Sequence, residues 1–333
     1  MLKIESNNET KILHFKKYPC IIYTFFKYEE DFMKIGFALY VDVLLGLEFS
    51  PKKSMWEHAC NSSRELLNCL KKEGIENIEL KLPTEFLADR IRIALQMMKD
   101  YGFHYSFHAP GMTDFPGGMD NYIDYLNQLL KISLKFDEPS ILVVLHGLSG
   151  TVVNRESLVT ESKKRLREIV NNVGDSHFKF VLENLRDLNS NGKRRCGTSY
   201  QEILDIQNYV GREQLGICWD FGHGYSQAEH GIHDRVPPFE FLEQVWHTHI
   251  HDYRDNVTHL PLGHGIIPYQ LYIHKLLEIG FNGIYNLELN PSRVKDPENF
   301  LKYITKSIRL LKLILADIES KNKNFEKTGP DDV

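Results

Sequence analysis

The sequence predicts an α/β protein built as a single (β/α)8 TIM barrel with a short N-terminal extension. Two observations predict it. Eight short β-rich runs alternate with amphipathic stretches of helical period, and chemically active side chains recur at the C-terminal end of one run after another. Strand alternating with helix implies parallel strands joined by right-handed crossovers. Eight such units in roughly 280 residues is the size of a barrel of this kind.

The elements follow in order. Residues 1–30 precede the first unit and are expected to add a strand or arm over the barrel's base. The strands are expected at 34–39 (KIGFAL), 77–82 (NIELKL), 103–108 (FHYSFH), 141–146 (ILVVLH), 178–184 (FKFVLEN), 215–220 (LGICWD), 246–251 (WHTHIH) and 283–289 (GIYNLEL). Helical patterns lie near 55–73, 84–101, 119–136, 155–173, 198–210, 268–280 and 297–318. Thr84 is the expected N-cap of the second helix, and Gly102 ends it with positive φ. Gly74 and Gly280 close two others, and Pro268 suits a first turn. Residues 221–245 read as a long loop followed by a short helix. The barrel domain spans 31–318, and the polar tail 319–333 is expected to fray. No stretch resembles a linker dividing the body.

Composition removes whole classes. With 42% hydrophobic residues and a net charge of −5, the chain has enough apolar surface to fold and no basic excess for nucleic acid. No apolar run reaches the length of a membrane span. The N-terminus begins polar and lacks a signal peptide's apolar core, so a cytoplasmic location is expected. Five widely spaced cysteines without a CxxC pair fit a reducing compartment and argue against thiolate zinc sites.

Alternate residues of a strand face opposite sides. In FHYSFH the aromatic residues share one face, and His104, Ser106 and His108 share the other. By the same alternation His146 lies with Val144, Glu183 with Val181, Asp220 with Cys218, and Glu288 with Asn286. Each acid or imidazole falls at or near the C-terminal end of its strand, which in a barrel is the floor of the active site. On the seventh strand His247, His249 and His251 share a face. His249 is the chosen ligand, His247 reads as deep or structural, and His251 as a contact to substrate or to a neighbour. Asp252 is assigned to fixing the following loop or orienting a histidine. Three carboxylates in one small cavity repel, and a divalent cation removes the conflict. Mixed imidazole and carboxylate ligands suit Mn, Zn, Co or Fe better than Mg alone.

The ordered set FHAP, LHG, LEN, DFGHG, HIHD, HLPLGHG and LELN resembles the xylose isomerase-like TIM-barrel superfamily over roughly residues 34–315. That superfamily holds sugar and sugar phosphate isomerases and epimerases together with endonuclease IV. Resemblance to the isomerases and epimerases implies Glu183, Asp220, His249 and Glu288 as ligands of one metal. Resemblance to endonuclease IV adds His108 and His146, sharing Glu183 with a second. A third site in that family uses two histidines and an aspartate. His223 and His259 match the histidines, but Val257 stands where the aspartate belongs, and Asp255 is the nearby substitute.

The resemblance implies an isomerase or epimerase acting on a sugar, sugar phosphate or similar polyhydroxylated carbonyl compound. Glu183 and Glu288 would pass a proton through an enediolate, with His223 and Arg254 holding hydroxyls or a phosphate. Lys193, Arg194 and Arg195 form either a phosphate site or a solvated run. The alternative is an endonuclease IV-like phosphodiesterase acting on abasic DNA. Gly111 and Met112, where a bulky wedge pair is expected, together with Asp114 and Asp120, disfavour nucleic acid. A non-catalytic sugar-binding barrel is the further alternative, and a dehydratase or oxidase uses the same ligands. Small-molecule substrate, no membrane partner and a homo-oligomeric assembly are compatible with this reading.

Overall fold

A computed structural model describes residues 34–46, 56, 60, 62–113, 115–136, 138, 140–150, 154–173, 177–187 and 192–327. The proposed 1–30 extension lies outside the described residues. Eight parallel strands close into a barrel: β1 (Lys34–Tyr40), β2 (Asn77–Lys81), β3 (His104–His108), β4 (Ile141–Leu145), β6 (Phe178–Glu183), β8 (Leu215–Asp220), β9 (Val245–Ile250) and β12 (Ile284–Leu287). They pair in sequence order, and β12 returns to β1 with Lys34 opposite Ile284. Two small two-stranded antiparallel sheets sit outside the barrel sheet. One is β5 (Ser149–Gly150) with β7 (Arg194–Arg195), and the other is β10 (Asp252–Arg254) with β11 (Val257–Leu260).

The helices are α1 (Val41–Leu44), α2 (Ser63–Lys72), α3 (Ala88–Tyr101), α4 (Gly118–Ser133), α5 (Arg155–Asn172), α6 (Tyr200–Val210), α7 (Phe221–Glu229), α8 (Phe239–Leu242), α9 (Tyr269–Glu278) and α10 (Phe300–Lys327). The outward strand faces carry bulky apolar side chains into this layer: Phe107, Phe178 and Phe180 are buried there. Inside the barrel, Val144, Val181 and Cys218 form a separate small cluster. They precede His146, Glu183 and Asp220 by two residues each, so this apolar plug underlies the polar floor.

Ser62, Asn154 and Ser199 cap α2, α5 and α6 by accepting backbone N–H groups. Gly102 ends α3 at φ 65°, as expected. Thr84 does not start that helix, which begins at Ala88. The intervening segment is held against α4 instead: Phe86 packs edge-on against Tyr125 at 4.9 Å, and the Tyr125 hydroxyl donates to the Pro83 carbonyl at 2.9 Å. Residues 221–229, expected as loop, are helical. The last helix runs on to Lys327, past 318. Among the described residues no helix is long and apolar enough to cross a membrane.

Candidate metal centre

Register brings the strand ends together. Asp220 lies opposite His249, His249 opposite Asn286, and Glu183 opposite Cys218. Glu288 follows β12 by one residue and keeps the strand direction, its N–H donating to the Ile250 carbonyl at 3.0 Å. One candidate ligand atom from each of Glu183, Asp220, His249 and Glu288 falls within 4.8 Å of the other three, and all four residues are buried.

His249 has one ring nitrogen held and the other turned to the acids. Its Nε2–H donates to the Glu79 carboxylate at 3.0 and 3.1 Å. Nδ1 then turns a lone pair towards the acids, 3.0 Å from Glu288 Oε2 and 3.4 Å from Glu183 Oε2. Neither His249 Nδ1 nor Glu288 Oε2 makes a hydrogen bond among the described residues. Two buried acceptors facing each other are costly unless a proton or a cation lies between them. Burial pushes the His249 pKa down, but Cys218, Glu79, Glu288 and Glu183 together hold it well above the usual histidine range. That rise puts a proton between the two atoms when no cation is there; the donor set also fits a divalent ion, which would take the proton's place.

A second group adjoins the first. His108 Nδ1–H donates to the Ala109 carbonyl at 3.1 Å, which leaves Nε2 facing Glu183 Oε2 at 3.2 Å. His146 Nε2 approaches the same oxygen at 2.9 Å. Burial pushes the His146 pKa down, which favours the neutral imidazole that binds metal. Burial raises the Glu183 pKa, but the imidazoles of His249, His146 and His108 outweigh it, leaving the carboxyl well below its usual range.

A third group holds Asp220, His223, His251 and His259. The His223 N–H donates to Asp220 Oδ1 at 2.6 Å, and its ring Nδ1 lies 3.2 Å from Glu183 Oε1. His251 Nε2 donates to Asp220 Oδ2 at 3.0 Å, while its Nδ1 accepts the His259 N–H at 2.9 Å. The His251 and His259 rings stack at 4.1 Å. Burial and the neighbouring His251 push the His259 pKa down to about 4. Asp255 is not in this group. It occupies the β10–β11 turn at φ 51°. Arg254 is exposed on the same hairpin, 3.4 Å from the Gly265 carbonyl, and is not brought to the cluster. Asp252 fixes the following loop: its carboxylate accepts the N–H groups of Tyr253, Gly263, Gly265 and Ile267 at 2.7 to 3.3 Å.

Sequence reasoning did not single out β2. Asn77, Glu79 and Lys81 alternate onto the interior face. Glu79 is fully buried and bonds His247 Nε2 at 2.7 Å as well as His249. Lys81 forms an ion pair with Glu288. Asn184 was also passed over: its side-chain amide spans to β8, accepting the Asp220 N–H at 2.7 Å and donating to the Asp220 carbonyl at 3.0 Å.

The model of the xylose isomerase-like TIM barrel family matches residues 51–313. The chain belongs to this family. An uncharacterised protein of Methanocaldococcus jannaschii is 26% identical over 240 residues, covering 66% of this chain and 77% of that protein. Among solved structures, an L-ribulose 3-epimerase aligns with a TM-score of 0.62 at 14% identity, over 91% of this chain and all of that one. A D-tagatose 3-epimerase-like protein gives 0.61 at 21%, over 86% and 98%. A family 2 AP endonuclease from Brucella melitensis gives 0.57 at 16%, over 82% and 98%. These likenesses show the barrel.

Proposed function

We propose that the protein is a divalent-metal-dependent isomerase or epimerase of a sugar, sugar phosphate or related polyhydroxylated carbonyl compound. The observation that carries this reading is the convergence of Glu183, Asp220, His249 and Glu288, with orphaned acceptors facing one another at its centre. Mn, Zn, Co or Fe suits such a donor set. A bound ion supplies Lewis-acid stabilisation of the charge that develops on the substrate's oxygens when a proton leaves the adjacent carbon. Glu183 and Glu288 both sit well below the usual carboxylate range, so both are ionised at neutral pH, the form that can bind a cation or take up a proton. They come from opposite ends of the four-strand run β6–β8–β9–β12 and so approach the cavity from two sides. One takes the proton and the same or the other returns it, which gives isomerisation or epimerisation through an enediolate. Lys81 steadies one oxygen of Glu288, and His108 and His146 steady Glu183.

The test is solvent exchange. Metal-loaded protein should introduce deuterium from D₂O into a sugar, sugar phosphate or cyclitol next to its carbonyl. Glu183→Gln should lower the rate by about 10²- to 10⁴-fold, the usual contribution of acid–base catalysis, with the melting temperature preserved. Full exchange by that variant, or by metal-stripped protein, refutes the mechanism.

One observation favours a second reading. His108 and His146 meet the same oxygen of Glu183, as a second ion sharing that carboxylate would require for phosphodiester cleavage. Against it, Met112 is buried in the loop where a duplex-wedging side chain would have to project. Incision of a duplex with an abasic site separates the two.

A further inference from the structure

The basic run after β6 is divided by the short strand β7. β7 pairs antiparallel with β5, placing Arg195 opposite Ser149, three residues beyond His146. The Arg195 N–H donates to the Asp187 carbonyl at 2.7 Å, and the Cys196 N–H to the Leu148 carbonyl at 2.8 Å. The short strand is thus anchored to the segments leaving both β4 and β6. Adjacent strand residues point opposite ways. Arg194 is exposed and pairs with Asp187, whose other oxygen takes Arg155 at 2.9 Å.

Arg195 turns to the other side. It is half-buried, and its charge acts on both His146 and Glu183. Among the described residues nothing accepts a hydrogen bond from its guanidinium. Glu183 is already shared among imidazoles. Arg186 is also near enough to repel it, and that side chain is engaged with the Asn256 carbonyl at 3.1 Å. Burial without a direct partner presses the Arg195 pKa downward. A partly desolvated guanidinium with five donors and no acceptor is costly until an anion completes it, and its planar fork matches phosphate oxygens. Ser149 is the register partner of Arg195, and its hydroxyl lies 3.4 Å from that of Thr113.

We propose that Arg195 binds a phosphate group of the substrate, which is therefore a phosphorylated sugar or cyclitol with its phosphate on the β5–β7 side of the barrel mouth. This rests on the isomerase reading and narrows its substrate class. A small molecule is favoured over a nucleic acid by the buried Met112 and by the chain's net charge of −5.

Calorimetric titration of the full-length, metal-loaded protein with inorganic phosphate tests the assignment. Saturable binding is expected, weakened about tenfold or more in Arg195→Met, as loss of a charge-assisted hydrogen bond implies. Arg195→Lys, which keeps the charge but loses the fork, should fall between. Arg194→Met should bind like the wild type. The assignment is overturned by absent phosphate binding, by equal binding in Arg195→Met, by acetate binding as tightly as phosphate, or by an abasic duplex showing the Arg195 dependence instead. Deuterium uptake into a free sugar as fast as into its phosphate ester also overturns it, while leaving isomerisation intact. Arg195-dependent phosphate binding without deuterium uptake from any sugar phosphate upholds the anion site and removes the isomerase reading alone.

Discussion

A histidine presents one ring nitrogen to a cation effectively only when the other is held, and Glu79 holds His249. Glu79 pays for this by sitting fully buried. Burial raises its pKa, but the charges and hydrogen bonds of His249 and His247 drive it far below the usual glutamate range, so it stays an acceptor. Glu79→Gln keeps the shape and removes the charge. It should weaken metal binding by about 10- to 100-fold, read by competition with a chromogenic chelator. Unchanged affinity in a folded variant would show that His249 needs no such support. Lys81 acts in the same way on Glu288, fixing one oxygen and leaving the other turned towards His249.

At the scale of elements, the junction between β8 and α7 concentrates two duties in Asp220. It caps α7 through the His223 N–H and stands in the acid cluster. The two duties separate on substitution. Asp220→Ala loses the cap and should cost about 0.5–2 kcal/mol in urea unfolding of chelator-treated protein. Asp220→Asn keeps an equivalent cap and should lose clearly less stability, while its metal binding falls as far. Equal losses in both would show the cap contributes nothing. The helix it starts was illegible in sequence because Gly222 and Gly224 are poor helix formers. Gly222 is required there for another reason: a Cβ at that position would lie 1.9 Å from His251 Cε1. Thr84 misled in the opposite direction, because an aromatic contact overrode a reasonable cap.

For the whole molecule, closure of the helix ring joins distant parts of the chain. Arg309 on α10 donates to both Glu73 oxygens beyond α2, at 2.9 and 2.6 Å. The Arg309 hydrogen bond holds the Glu73 pKa below its ordinary value of 4.5. A carboxyl depressed by folding contributes stability that is complete above its unfolded pKa and lost as pH falls through the folded one. Arg309→Met should therefore melt below the wild type at pH 7, and the two curves should converge under acid conditions below pH 4.5. A gap that persists there would assign the effect to packing. The barrel itself was legible because every strand alternates or is buried on both faces, and the acids and imidazoles from β3 to β12 mark its C-terminal rim. β2 escaped notice because charges at every second position also describe a strand with one wet face; only ring closure shows that Glu79 and Lys81 point inward. One neutral group remains. The Asn184 amide, just beyond β6, spans to both main-chain polar atoms of Asp220. A carboxylate in its place would set a negative oxygen against the Asp220 carbonyl, so the seam between β6 and β8 depends on a neutral group that performs no chemistry.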